Sequence, residues 1–323
     1  MTQALILKLL RLVCTSVSGL GRQKKLFILI YHQVMDQPDF MRPWEIDKAA
    51  FSWQMALLAK YFNVLPLHDA LENIANDSLP SRAICITFDD GYANNVTNAL
   101  PILMVHKLPA IFFIASGYLD GGRMWNDSVI EGIRTLTTPT LDLTAMGLTS
   151  YDIGTPDKKA DAAVEIIRQI KHLQPDVRSK YADHIASLAK TMPDDLMMSS
   201  EQLVQLHASG MEIGGHTVTH PILATLTPDA VKQEVIDNKI ALETLLNTSI
   251  RYFAYPNGKP DQDYLQDQVS IIKACGYDAA LSTQAGVTQK YQDRWQLSRF
   301  TPWDNNPIRF MLRIVMMYAF NRL

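Results

Sequence analysis

The sequence predicts an α/β protein closed into a barrel, and three observations carry that prediction. Short apolar strands rich in β-branched residues alternate with longer segments whose apolar residues recur at helical spacing, the pattern of a parallel sheet wrapped by helices. Residues suited to chemistry stand directly after those strands, where parallel barrels carry their sites. The chain of 323 residues, 47% of them hydrophobic, is long enough to bury one large core and need not be split into separate domains.

Leu26 to Tyr31 reads as the first strand and ends at His32. Phe51, Met55, Leu58 and Phe62 then recur at helical spacing, and Val64-Leu65 followed by Leu67 to Ile74 continues the alternation. Ile84 to Phe88 is a buried strand that runs straight into Asp89 and Asp90, with Gly91 allowing a sharp turn at its end. Ala93 to His106 is a helix stopped by Lys107-Leu108-Pro109, and Ala110 to Ile114 is the next strand. From about 121 to 199 the rhythm fails. Two polar helical stretches, 158–173 and 177–190, read as an insertion that forms either a solvated hairpin or a wall of the substrate groove. Trp125, near its start, stacks on a sugar ring in the second case and simply packs on the barrel in the first. The alternation resumes with the helix Glu201 to Ala208 and the strand Met211 to Ile213. Thr227 caps a helix with Pro228 at its first turn, running to about Leu246. Tyr252 to Tyr255 is a strand, Tyr264 to Cys275 a helix ended by Gly276, and Ala279 to Leu281 a further strand.

Two clusters carry the chemistry. Adjacent like charges such as Asp89 and Asp90 repel, so a buried pair needs a metal that takes one of them or a shared proton. Far downstream, Gly214-Gly215-His216-Thr217-Val218-Thr219-His220-Pro221 presents two imidazoles four residues apart, which face one ion if the segment makes a single helical turn. Taken singly, an Asp-Asp turn or a lone histidine reads as structural. Together, two histidines and one carboxylate make three protein ligands and leave room for water and substrate, as a catalytic site requires.

These stretches resemble the polysaccharide deacetylases of carbohydrate esterase family 4, the NodB homology family. Thr87-Phe88-Asp89-Asp90-Gly91 is similar to the first motif of that family, His216-Thr217-Val218-Thr219-His220 to its second, and Arg251-Tyr252-Phe253-Ala254-Tyr255-Pro256-Asn257-Gly258 to a third that closes the groove. Tyr31-His32-Gln33-Val34 and Phe253-Ala254-Tyr255-Pro256 are similar to the subgroup of biofilm poly-N-acetylglucosamine deacetylases. The resemblance implies a distorted barrel of about seven strands over residues 26–304, with the insertion at about 121–199. It implies a metal-dependent hydrolase that removes an acetyl group from an N-acetylated glycan. Asp90, His216 and His220 would hold a divalent ion, zinc first, with nickel or cobalt able to substitute. Asp89 would be the general base and His32 the general acid, while Asn257 and Tyr255 would serve the oxyanion and the substrate. In the third motif the chain departs from the pattern: Ala254 stands where many relatives have an arginine that orients the base, and Asn257 where the usual residue near the turn is a tyrosine. Arg299, which follows a candidate late strand, is the candidate replacement across the barrel mouth; the alternative is a surface arginine.

Composition excludes other classes. A net charge of −3 and an isoelectric point near 6.2 give no broad basic surface for nucleic acid. The three cysteines, Cys14, Cys85 and Cys275, have no ligand spacing and suit a reducing compartment. Residues 1–25 and 305–323 are amphipathic rather than spanning, with Lys8, Arg11, Arg22, Lys24 and Lys25 in or beside the first and Arg309 and Arg313 in the second. They read either as helices packed on the barrel or as a peripheral attachment to a membrane. The expected location is the cytoplasm or the inner membrane face rather than outside the cell.

Overall fold

A computed structural model describes residues 2–19 and 24–321. Seven parallel strands form a nearly closed barrel: β1 (Leu26–Tyr31), β2 (Ala83–Phe88), β3 (Ile111–Ile114), β4 (Glu212–Gly215), β5 (Tyr252–Ala254), β6 (Ala279–Ala285) and β7 (Leu297–Arg299), in that order around the sheet. The ends meet where the Ile30 N–H donates to the Phe300 carbonyl just beyond β7. A short strand, Asn63–Val64, lies beside the start of β2.

Strand alternation decides which side chains face the barrel axis. Leu26, Ile28, Ala83, Cys85, Phe113 and Leu297 share one inner cluster, while the intervening Phe27, Leu29, Ile84 and Ile86 pack outward in the main core. The same period continues past the apolar residues. Thr87 and Asp89 follow Cys85 on the inner side, and Arg299 follows Leu297. A two-residue repeat therefore delivers a carboxylate and a guanidinium to the top of one barrel.

The first four helices are α1 (Gln3–Gly19), α2 (Lys48–Tyr61), α3 (Leu67–Ala75) and α4 (Leu100–His106). The expected single helix from Ala93 instead opens with a wide turn at Asn95–Ala99, in which the Leu100 N–H reaches back to the Asn95 carbonyl. Pro101 has no N–H to give, which favours such a local rearrangement. The Asn95 side chain uses the turn to hold the His32 carbonyl at 2.8 Å.

Between β3 and β4 lie α5 (Trp125–Thr135), an antiparallel pair Thr140–Asp142 and Ser150–Asp152, then α6 (Pro156–Ile170), α7 (Pro175–Ser187) and α8 (Ser200–Ala208). Val129, Ile133, Ile166 and Ile185 give this segment a core of its own. The sequence pattern found α6 and α7 but missed α5. That helix buries Asp127 and Glu131 as well as apolar residues, because both carboxylates pair with Arg42, at 2.8 Å and 2.5 Å. Charge on the inner face hid its periodicity. The remaining helices are α9 (Pro228–Leu246), α10 (Gln266–Ala274) and α11 (Pro307–Phe320).

At the termini, α1 and α11 pack on each other and on the barrel. Phe310, Met311, Ile314 and Tyr318 enter the main core, and the Ser18 hydroxyl accepts the Arg82 N–H at 2.8 Å. Arg22 of the basic stretch lies outside the described residues. No helix among the described residues is long and apolar enough to cross a membrane.

Candidate active site

A cavity of about 300 Å³ opens at the C-terminal ends of the strands, with His32, Asp89, Asp90, His216, His220 and Asn257 in its wall. Trp125 and Lys171 line it from the inserted segment.

Asp89 sits at the inner top of β2, and only 2% of it is exposed. Arg299 grips it with both ends of the guanidinium, Nη1 to Oδ1 at 2.7 Å and Nη2 to Oδ2 at 2.8 Å. The fork is itself fixed, since Nε donates to the Ser282 carbonyl at 2.9 Å and Nη1 also reaches Thr87 Oγ1 at 3.2 Å. Burial alone would raise the Asp89 carboxyl, but the Arg299 charge, with His216 behind it, holds it below the ordinary carboxylate range.

Asp90 turns the other way because its backbone is left-handed, with φ +79°. Its Oδ1 lies 3.3 Å from His216 Nε2 and 3.3 Å from His220 Nε2, and the three ligand atoms all fall within 4.8 Å of one another. Ligands held about 2.0–2.1 Å from a tetrahedral ion stand about 3.3 Å apart, so the spacing fits a divalent metal. Burial opposes ionisation of Asp90 too, yet His220 and the hydrogen bond from His216 bring it well below the usual range.

The histidines are aimed by backbone. His216 Nδ1 donates to the Ala254 carbonyl at 2.7 Å, which fixes the ring with Nε2 toward Asp90. Burial pushes His216 down, but Asp89 and Asp90 outweigh it and raise the imidazole; burial prevails at His220 and depresses it to about 4. The 216–220 segment is a short loop, and the two imidazoles meet without the single helical turn that their spacing allows. Thr217 and His220 are left-handed, at φ +66° and +50°, and the loop is held from outside. The Glu234 carboxylate accepts the N–H groups of Val218 and Thr219, each at 2.8 Å. Asn238 Oδ1 accepts the His216 N–H at 3.1 Å, and its amide donates to the Thr217 carbonyl.

Gly215 is required for this approach. A Cβ there would stand 2.4 Å from the Tyr277 hydroxyl and 2.8 Å from Asn238 Oδ1.

The structure thus gathers Asp89, Asp90, His216, His220, His32, Asn257 and Trp125 around one cavity, with Arg299 buried behind Asp89. Tyr255 is not among its walls: the ring is fully buried, stacked on Tyr264, and its hydroxyl donates to the Trp295 carbonyl at 2.9 Å. Trp125 lines the cavity with 9% of its surface exposed, and the Arg178 guanidinium lies 4.7 Å from its ring centre. Glu234 and Asn238 escaped the sequence reading. They stand four apart on α9, and Asn238 interrupts the buried stripe of Val231, Val235 and Leu242, a polar intrusion that could have marked it.

Comparison with known proteins follows the same lines. The polysaccharide deacetylase family model matches residues 76–280, and the chain belongs to that family, hydrolases acting on carbon-nitrogen bonds. It is similar to YxkH of Bacillus subtilis (strain 168), a polysaccharide deacetylase by name, with 20% identity over 276 residues, 85% of this chain and 70% of that protein. Among solved structures it resembles the Streptococcus pyogenes deacetylase PplD in complex with acetate, at 18% identity and TM-score 0.61, covering 90% of this chain and 98% of that one. It also resembles IcaB from Ammonifex degensii, at 19% identity and TM-score 0.60, covering 91% and 97%.

Proposed function

We propose that this chain is a metal-dependent deacetylase that hydrolyses the N-acetyl group of an amino sugar in a polysaccharide or lipid-linked glycan. The observation that supports it most is the placing of a buried, ionised Asp89 beside a three-ligand cluster in one cavity wall.

Asp90, His216 and His220 would hold the ion, with zinc the first choice for two imidazoles and a carboxylate; nickel or cobalt suits the same set. Bound there, it supplies Lewis acidity to the acetamide carbonyl and to a water beside it. Asp89 stays off the cluster because Arg299 occupies both its oxygens, and from that position it accepts the proton of the attacking water. The same fork makes Asp89 a weaker base than a free carboxylate, so its contribution comes from placement and from being ionised at neutral pH. Arg299 is a positioning residue. His32, on the adjoining strand end, gives a proton to the departing amine. At the Asn257 turn the Gly258 N–H is already taken by the Pro256 carbonyl, which leaves the Asn257 N–H as the donor toward the oxyanion.

The test is acetate release from N-acetylglucosamine oligomers, with elemental analysis before and after chelation. One ion per chain, loss of activity on chelation and loss of the ion in His216→Ala are expected. Full activity in metal-free protein would overturn the proposal.

A further inference from the structure

The terminal helices bury one face each and leave the opposite face bare. On α1, Leu7, Cys14 and Ser18 are buried, while Leu5, Leu9 and Leu12 are 48%, 46% and 65% exposed. These three are spaced i, i+4, i+7, so they form one outward stripe. On α11, Leu312 and Phe320 are 41% and 71% exposed on the side away from Phe310, Ile314 and Tyr318. Core packing accounts for the inner faces and says nothing of the outer ones. Large apolar side chains aligned on the surface of two neighbouring helices call for an occupant.

Charge identifies it. Neither helix contains an aspartate or glutamate, although the whole chain is net negative at −3. Lys8 and Arg11 on α1 and Arg309 on α11 are exposed, and among the described residues Arg313 is the basic residue of the two helices that is paired at home, with Asp304 at 2.6 Å. An apolar stripe on helices whose only charged residues are cations suits an anionic bilayer, whose acyl boundary takes the leucines and phenylalanine while the headgroups take the lysine and arginines. A second copy of the same surface would set cation against cation.

We propose that α1 and α11 together form an amphipathic platform that docks the protein, in the plane of the interface, on an anionic lipid surface.

The test is sedimentation of the full chain with vesicles of phosphatidylcholine, with and without phosphatidylglycerol. Wild-type protein should pellet with the anionic vesicles at low salt and be released as salt rises. Leu9→Glu/Leu12→Glu should weaken partitioning at least about tenfold, and Lys8→Glu/Arg11→Glu should remove the preference for phosphatidylglycerol. Both pairs are exposed and none of the four residues lines the cavity, so thermal stability and hydrolysis of a soluble oligomer should be unchanged in each. Wild-type protein that stays in the supernatant at low salt would overturn the proposal. So would a concentration-dependent dimer that Leu9→Glu/Leu12→Glu dissociates, since the stripe would then be an interface between copies.

Discussion

Arg299 and Asp89, 210 residues apart in sequence, form a two-pronged buried ion pair at the mouth of the barrel. The pair places an arginine from β7 on a carboxylate from β2, in a chain whose third motif offers Ala254. That alanine is not idle: its carbonyl orients His216.

Replacing Arg299 by lysine removes the fork and leaves a point charge, so Asp89 should lose its fixed orientation. The expected result is a fall in kcat of at least about tenfold with metal content unchanged. Because burial now acts on Asp89 with less opposition, its pKa rises, and the acid limb of the kcat/KM profile should move to higher pH. A pH profile of Arg299→Lys identical to wild type would show that the arginine serves packing alone.

The loop clamps should control metal affinity. Asn238→Ala frees the His216 N–H and the Thr217 carbonyl, and Glu234→Gln weakens the hold on Val218 and Thr219. Loss of such supporting contacts costs about 10–100-fold in affinity. Competition titration with a zinc chelator measures it directly; unchanged affinity in both variants would show that the loop is preformed without them.

In the metal-free protein the contribution of His220 to stability should be lost as pH falls through the histidine range. His220 is depressed from 6.5 to about 4, so its contribution is present above pH 6.5 and is lost as pH drops toward 4. A shift of that size corresponds to roughly 3 kcal/mol. His216, raised instead, acts in the opposite sense, its contribution being lost as pH rises above 6.5, while Asp89 and Asp90 act below the window, under 3.8. Acidification from pH 7 to pH 4.5 should therefore lower the urea midpoint less in His220→Gln than in wild type. Equal slopes would place His220 in a more hydrated setting.

His32→Ala should keep its metal and its fold but lose roughly 10²–10⁴-fold in kcat, the range for a missing proton donor. Near-normal turnover in a metal-replete variant would assign the proton to another group.

Much of this arrangement was legible in the sequence, for identifiable reasons. The strand Leu26–Tyr31 is legible at its observed limits because a fully buried strand is a continuous apolar run with little else to confuse it, whereas Leu297–Arg299 carries a serine and an arginine and gives no such run. Asp89 and Arg299 could be paired because strand ends converge in a barrel. What stayed hidden depends on contacts distant in sequence. Helix α5 buries its carboxylates only because Arg42 comes to meet them, and the left-handed Thr217 and His220 are held by side chains of α9. Tyr255 looked like a groove residue by position, yet the alternation of β5 sends its ring toward Tyr264 and Phe253.

The measurement that bears most directly on the account is acetate release by Asp89→Asn, made on protein shown to carry its metal. If Asp89 is the base and Asp90, His216 and His220 are the ligands, the variant should bind one ion per chain, fold normally and release acetate at least about 100-fold more slowly than wild type. Wild-type acetate release from metal-replete Asp89→Asn would contradict it.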